Sequence, residues 1–383
     1  MLKALKKSAG VTRLRKSMTY SRLRQLLPMR EPGYIDDRGQ IEDAEEVRID
    51  WPAGLAKPRV GIVRDHEEFP RWTKYRRFLE TNGFPHDLYD IHAHDWIERA
   101  RQFDVVIGLA SNEINRLEEI RVKYHFLETA LGKICYPSAA QALLYEDKSL
   151  EAYITGVCGL PFANAIISHS EGDALAMLEK ARYPLVSKIN HSSGSVGVEL
   201  VRTPQKARRI VGQAFSRKGR KTHIPWFRQK GYVYFQDYVP NDGYDIRVMM
   251  VGRMAFGYYR KVLSGDFRAS GMDTVEKRGL PEEAIRVARA AQRCLRVPHL
   301  VVDMVHALDG RYVIIEFSIV CQVQTPEQLH VDGVPGVYIV EDNGDIRFEK
   351  GRYWVHELAL RQFLRDEVLP RVRETTAKAS SGC

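Results

Sequence analysis

The sequence predicts an α/β unit followed by an α+β unit, and three patterns carry that prediction. Short apolar runs alternate with helical stretches up to about residue 140, neighbouring strands joined by turns follow to about 345, and a helix closes the chain. Strands separated by helices imply a parallel sheet covered on its faces, whereas strands that succeed one another directly imply antiparallel pairing.

Element by element, "RVGIVRD" reads as the first strand. A helix over Trp72–Asn82 follows, stopped by Asn82-Gly83, then a strand at "HDLYDI". A helix over His94–Gln102, the strand "DVVIGLA", a helix over Arg116–Leu131 and the strand "KICYP" complete the α/β unit. Further on, "YPLVSKI", "GVELV", "YVYFQDYV", "DIRVMMVG", "RMAFGYYRKV", "LVVDMVHAL" and "RYVIIEFSIV" are strands. Helices are expected near Ser149–Thr155, Gly172–Lys180, Pro204–Phe215 and Pro281–Cys294, and a terminal one over Trp354–Val372. The resulting division is an arm and linker (1–57), a parallel α/β domain (58–140), two α+β subdomains (141–225 and 226–345) and a C-terminal helix with its tail (346–383).

The formal charge of +9, from 58 basic against 49 acidic residues, is localised. Residues 1–30 hold nine bases and no acid, which leaves 49 of each sign in the remainder. Three readings of the arm stand: a solvated tail, an anchor for an anionic membrane or polymer, and an acid-free organelle transit segment. The stretch 31–57 turns acidic and reads as a linker that folds back on the arm. A neutral body gives no reason to expect nucleic acid as a partner; a homo-oligomer is left open. No run of about 18 apolar residues is present, so no membrane-spanning helix is expected. Five scattered cysteines without a CxxC pair indicate neither a disulfide framework nor a zinc site, and point to the cytoplasm.

Chemistry concentrates in "HLVVDMVHALDGRYVIIEFS". Asp309-Gly310 between apolar runs signals a two-residue hairpin turn, which sets Asp303 opposite Glu316 and Val301 opposite Ser318. Two like charges facing each other across strands repel unless a cation neutralises them. A carboxylate pair gripping Mg²⁺, a hard cation that prefers oxygen ligands, is one reading; a pair neutralised by Arg or Lys is the other. In "PLVSKINHSSGSVGVELV" a strand delivers Lys188 into a loop holding Ser193 and Gly194, small residues whose amides can approach a phosphate. In "VYFQDYVPNDGYDIRVMMVG" a strand runs out of the core at Gln236, Asp237, Tyr238 and Val239, where backbone can meet a purine edge. Asp245 and Arg247 follow on the next strand, where an acid can take ribose hydroxyls. Arg260, Lys261 and Arg268 add cationic density around a "GDFRASG" turn, suited to the phosphate oxygens of a nucleotide or to a carboxylate.

Taken in order, Lys148 in "YEDKSL", Lys188 with its loop, "QDYV", "DIR", "GDFR", Asp303 and Glu316 resemble the ATP-grasp superfamily. The likeness is greatest to the RimK-type and glutathione-synthetase-like carboxylate–amine ligases, and it covers about residues 58–345. It implies the ATP-grasp fold: a small parallel-sheet N-terminal domain and two α+β subdomains clasping ATP. It also implies phosphate contacts from Lys148 and Lys188, adenine contact at Gln236–Val239, and Mg²⁺ (or Mn²⁺) on Asp303 and Glu316. Arg268 would stand with Lys188 around the transferred phosphate. Ser318 occupies the third metal-ligand position, where the family carries Asn, and as a weaker oxygen ligand it would coordinate the ion or hold a water; "IVCQVQTPEQ" replaces the usual "SPG". The reaction implied is ligation of a carboxylate to an amine through an acyl phosphate, with release of ADP. Acceptors of the amino-acid, peptide or envelope-polymer kind are open. Alternatives are nucleotide binding without turnover, which the serine motivates, and phosphoryl transfer to a hydroxyl.

Overall fold

The computed structural model describes residues 36, 38, 44–67, 69–109, 114–191, 197–222, 224, 226–261, 275–276, 278–320, 323 and 329–381. The arm, Ser193, Gly194 and Arg268 lie outside them.

The first unit runs β1 (Val60–Val63), α1 (Trp72–Thr81), β2 (His86–Tyr89), α2 (Trp96–Arg101), β3 (Val105–Ile107), α3 (Ile114–Thr129) and β4 (Ile134–Tyr136). Its four strands are parallel in the order β2-β1-β3-β4, with every residue of β1 and β3 buried, as expected of a sheet covered on both faces. Helix α1 stops where predicted, because Gly83 takes φ +63° and lets the Phe84 amide bond back to Leu79 O.

The second unit follows as α4 (Ala139–Leu144), α5 (Lys148–Val157), β5 (Ala165–Ser168), α6 (Glu171–Lys180), β6 (Leu185–Ser187), β7 (Glu199–Val201), α7 (Pro204–Phe215), the small hairpin β8 (Arg220–Lys221) and β9 (Arg228–Gln229), and β10 (Val233–Asp237). Strands β5-β10-β6-β7 form an antiparallel sheet whose core is shared with α6 and α7. Helix α4, capped by the reciprocal Ser138–Gln141 box, and strand β5 are additions to the sequence reading.

The third unit is a larger sheet. It comprises β11 (Asn241–Val251), β12 (Met254–Lys261), β13 (Val275–Glu276), α8 (Glu282–Leu295), β14 (His299–Ala307), β15 (Tyr312–Ser318), β16 (His330–Val331), β17 (Val334–Val340) and β18 (Ile346–Lys350). The order is β15-β14-β11-β12-β17-β16, with β13 on β12 and β18 on β17. Strand β11 lies inside the sheet and both its faces are covered, which explains its nearly unbroken apolar run. Ile246, Val248 and Met250 share a core with Ala284, Ile285 and Ala288 of α8, while Met249 and Val251 share one with Trp354, Val355 and Leu358. The latter three start the terminal helical segment, α9 (Val355–Phe363), which continues through a π turn at Leu364–Val368 into α10 (Leu369–Ser381).

Two expectations are corrected. The segment read as a linker is packed from residue 44 onward: Val47 is buried against α1, the Glu45 amide bonds Arg352 O, and Arg77 ties Ala44 O to the Glu357 carboxylate. The stretch looked solvated because its anchors are distant in sequence: Val47 packs against α1, the Ala44 carbonyl accepts from Arg77 of α1, and Glu45 accepts from the Arg352 amide. Secondly, Cys158, at the end of α5, and Cys294, in α8, are joined in a disulfide across 136 residues. Packing of two helix ends brings them together, which residue spacing could not reveal.

Asn82 fastens the packed strap, its Oδ1 accepting from Ile49 N (2.9 Å) and its Nδ2 donating to Val47 O (2.9 Å). Asn82→Ala strands both groups, so urea denaturation should show a loss of roughly 2 kcal/mol with an unchanged m-value.

Candidate functional site

Four strands of the large sheet carry one row of side chains on the same face: Tyr258 on β12, Arg247 on β11, Asp303 on β14 and Glu316 on β15, each directly opposite the next. The Asp303–Glu316 juxtaposition is the one the sequence predicted, reached by a different route. The turn holds three residues, with Ala307 N bonding Arg311 O and Gly310 at φ +88°, so Met304 faces Ile314 and not Ile315. A bulge at Ile315 then restores the register, and Asp303 meets Glu316 after all.

Cations surround both carboxylates. Arg247 grips Asp303 through two bonds of 2.7 Å, and Arg260 reaches the same carboxylate at 2.8 Å while holding Asp245 at 2.6 and 2.7 Å. Burial alone would raise the Asp303 pKa. Arg247 and then Arg260 outweigh it and hold the group well below the carboxylate range. Asp245 goes the other way, pushed by burial up to about 6 despite Arg260. Both Asp245 and Arg260, expected beside the nucleotide, are thus buried in this network.

Glu316 is served from the second unit. Lys148, first residue of α5, donates to its Oε1 at 2.7 Å; Asp147 caps that helix by accepting from Leu150 N. Lys188, just beyond β6, donates to Ile315 O at 3.0 Å and stands over the Tyr234 ring. The two lysines differ electrostatically. Both pay for burial, but Glu316 compensates Lys148 and raises its pKa, while Lys188 is lowered to about 8. Glu151, one turn along α5 from Lys148, accepts from Phe317 N at 3.3 Å, and burial lifts its carboxyl well above the normal range. Sequence reasoning missed Glu151; its only signal was an acid three residues after Lys148 on a helix facing the core.

At the hinge, Gln236 is buried and donates to Ala163 O, Tyr238 N bonds Pro184 O, and Val239 O accepts from Asn241. Asp237 pairs its backbone with Asn164 O. This strand end adjoins the Lys188 strand, since Asp237 faces Leu185 across β10 and β6.

Among the described residues no three carboxylate, imidazole or thiol groups converge as a metal site. Asp303 and Glu316 offer the hard oxygens that Mg²⁺ prefers. Ser318 is turned into its own chain: its hydroxyl donates to Val320 O and accepts from Val320 N. Both carboxylates are already matched by cations, Asp303 by Arg247 and Arg260 and Glu316 by Lys148.

Residues 143–331, which contain every group just described except the N-terminal sheet and the terminal helices, match the model of the RimK-like ATP-grasp domain. The segment has the ATP-grasp fold. A probable alpha-L-glutamate ligase of Haemophilus influenzae (strain Rd) is 26% identical over 220 residues, 56% of this chain and 64% of that protein. The chain therefore matches under two thirds of the relative's length, as it does for the same protein of strain PittEE at 24% identity. Among solved structures, D-cycloserine synthetase DcsG aligns with TM-score 0.55 at 14% identity over 82% of this chain and 99% of that one. The D-alanine–D-alanine ligase of Bacillus anthracis complexed with ATP aligns with TM-score 0.54 at 16% identity, covering 83% and 99%. At such identities these two carry the ATP-grasp fold and no more. The parallel-sheet region before the ATP-grasp domain and the antiparallel sheets within it agree with the fold class the sequence predicted.

The Arg247–Asp303 pair gives the ATP-grasp domain a signed pH response. Asp303 has a depressed folded pKa, so its contribution is present above the unfolded value near 3.9 and is lost as pH falls below it. Arg247→Met should cost about 3 kcal/mol at pH 7 by leaving a buried charge under-compensated. That gap to the wild type should narrow in denaturation curves taken between neutral pH and pH 3.

Proposed function

We propose that the protein is an ATP-dependent, ADP-forming carboxylate–amine ligase that makes an amide or peptide bond through an acyl phosphate. The observation that carries this reading is the convergence of Lys148 from the start of α5 and Lys188 from just beyond β6 with Asp303 and Glu316 of the large sheet, within a segment that matches the RimK-like ATP-grasp domain. Adenine lies along Tyr238 and Val239, and the phosphates run toward the lysines. Lys148 and Lys188 lower the negative potential that an approaching carboxylate meets at the γ-phosphate. Arg268 and the Ser193–Gly194 loop, outside the described residues, are assigned to the same phosphates. Mg²⁺ held by Asp303 and Glu316 supplies charge neutralisation at the phosphate oxygens. The carboxylate oxygen bonds to phosphorus as the bond to ADP breaks. The amine nitrogen then bonds to the acyl carbon, phosphate leaves, and the amine's proton passes to solvent. The chain's share is positioning and charge, which needs few dedicated acids or bases.

The glutamate ligases it resembles make L-glutamate the first amine and acceptor to test. Cytoplasmic ATP suits such a reaction, and among the described residues no helix is long and apolar enough to cross a membrane. The closed Ser318 turn favours one second reading, nucleotide binding without turnover.

Purified protein with Mg²⁺-ATP and a panel of carboxylates and amines separates the two. ADP and phosphate should form only when both acceptors are present; tight ATP binding with no ADP from any pair would instead establish the second reading. Lys188→Ala and Glu316→Ala should each abolish turnover while circular dichroism stays native. Because burial lowers the Lys188 pKa to about 8, ATP affinity of the wild type should weaken as pH rises past that value. Calorimetric titration of Lys188→Arg, whose charge persists, should show that dependence flattened.

A further inference from the structure

Strand β15 is the outermost strand of the large sheet, so among the described residues one edge of it has no strand partner. Open edges leave peptide groups that must find other partners when buried. Its first part is covered by the chain at 161–163, where Ile314 N bonds Pro161 O (2.7 Å) and Ala163 N bonds Ile314 O (2.9 Å). Beyond that point side chains take over. Lys188 donates to Ile315 O and Glu151 accepts from Phe317 N, so the peptide groups on either side of Glu316 are each closed by a side chain from the second unit. Here the strand also contains its bulge, since Ile315 is the extra residue between the Met304–Ile314 and Asp303–Glu316 pairs. A bulge re-aims the side chains beside it and lacks ladder bonds of its own, so its geometry depends on what holds the outer edge.

Glu151 is 2% exposed and makes no contact suited to substrate. A buried carboxyl costs free energy unless its hydrogen bonds are made, and an apolar residue there would strand the Phe317 amide. We propose that Glu151 is a positioning residue: by closing the edge of β15 at Phe317 it fixes the bulge and aims Glu316 at Asp303 and Lys148. The proposal rests on the nucleotide-site reading for its effect on activity, and on the hydrogen bond alone for its effect on the strand. A neutral acceptor of the same length suffices for this role, so Gln substitutes for Glu and Leu does not.

The test uses full-length Glu151→Gln and Glu151→Leu with two readouts. The first is Mg²⁺ dependence of turnover, with KM for ATP and kcat. Glu151→Leu should lose about 10–100-fold in Mg²⁺ affinity or kcat, with KM for ATP within a few-fold, while Glu151→Gln restores most of the loss. The second is amide exchange at Phe317 in ATP-free protein, which should be protected in the wild type and Glu151→Gln and accelerated in Glu151→Leu. A folded Glu151→Leu protein with wild-type Mg²⁺ dependence and Phe317 protection overturns the proposal, as does Glu151→Gln behaving like Glu151→Leu. If Glu151→Leu does not fold, Glu151→Gln decides alone: retained protection and turnover support the role, loss of either sinks it. A wild type inactive with every acceptor pair would defeat the ligase reading only, since exchange at Phe317 still decides the role of Glu151.

Discussion

Everything at this site follows from placing two carboxylates, Asp303 and Glu316, opposite each other on adjacent strands. Like charges in that position repel, and burial makes the repulsion worse. The fold answers with separate sets of cations. Asp303 is neutralised within its own sheet, by Arg247 from the neighbouring strand and Arg260 from the next. Glu316, on the edge strand, has only the like-charged Asp303 opposite it within the described sheet and is neutralised from outside, by Lys148. The edge position of β15 is therefore what requires α5 and the Lys188 strand to lie against the large sheet, and what joins the two halves of the ATP-grasp domain at their chemistry.

How much of this was legible depends on sequence distance. The Asp303–Glu316 pairing was readable because an Asp-Gly turn and two alternating runs are contiguous. It survived a wrong turn length because the Ile315 bulge compensates for the third turn residue. Arg247 and Arg260 could be picked out as charges in apolar strands, but their shared partner could not. That partnership depends on β14 and β12 flanking β11, and sheet order is not written in local pattern. Glu151 was invisible for a further reason. Its partner is a backbone amide, which has no residue type to recognise, 166 residues away. The parallel sheet was readable strand by strand, whereas β5 went unassigned because it is completed by β10, far along the chain. The β17–β18 hairpin also went unassigned, although its partners are local.

The chain ends obey the same logic. Strand β11 is apolar on both faces, so the sheet needs a second layer opposite α8; α9 supplies it, burying nearly its whole length and lying against α1 of the N-terminal unit. The strap at 44–57 seals that junction, with Arg77 serving Ala44 O and Glu357 at once. The terminal segments thus act as walls for the large sheet, whose charged row occupies the same face further along the strands.

The two lysines make different use of their burial. Lys148 is matched by a carboxylate and stays charged, so it belongs to the permanent scaffold around Glu316. Lys188 donates to a carbonyl oxygen and stands over an aromatic ring; burial and the neighbouring Lys148 charge outweigh the nearby Glu316 carboxylate and lower it to about 8. On the function proposed above, a phosphate between the sheets would offer it a full negative charge and favour its protonated form, so that part of the binding free energy is relief of a burial cost present in the ligand-free protein. Such an exchange would release Ile315 O at the bulge and leave Glu151 as the hydrogen bond that still closes that edge, where the aim of Glu316 is set.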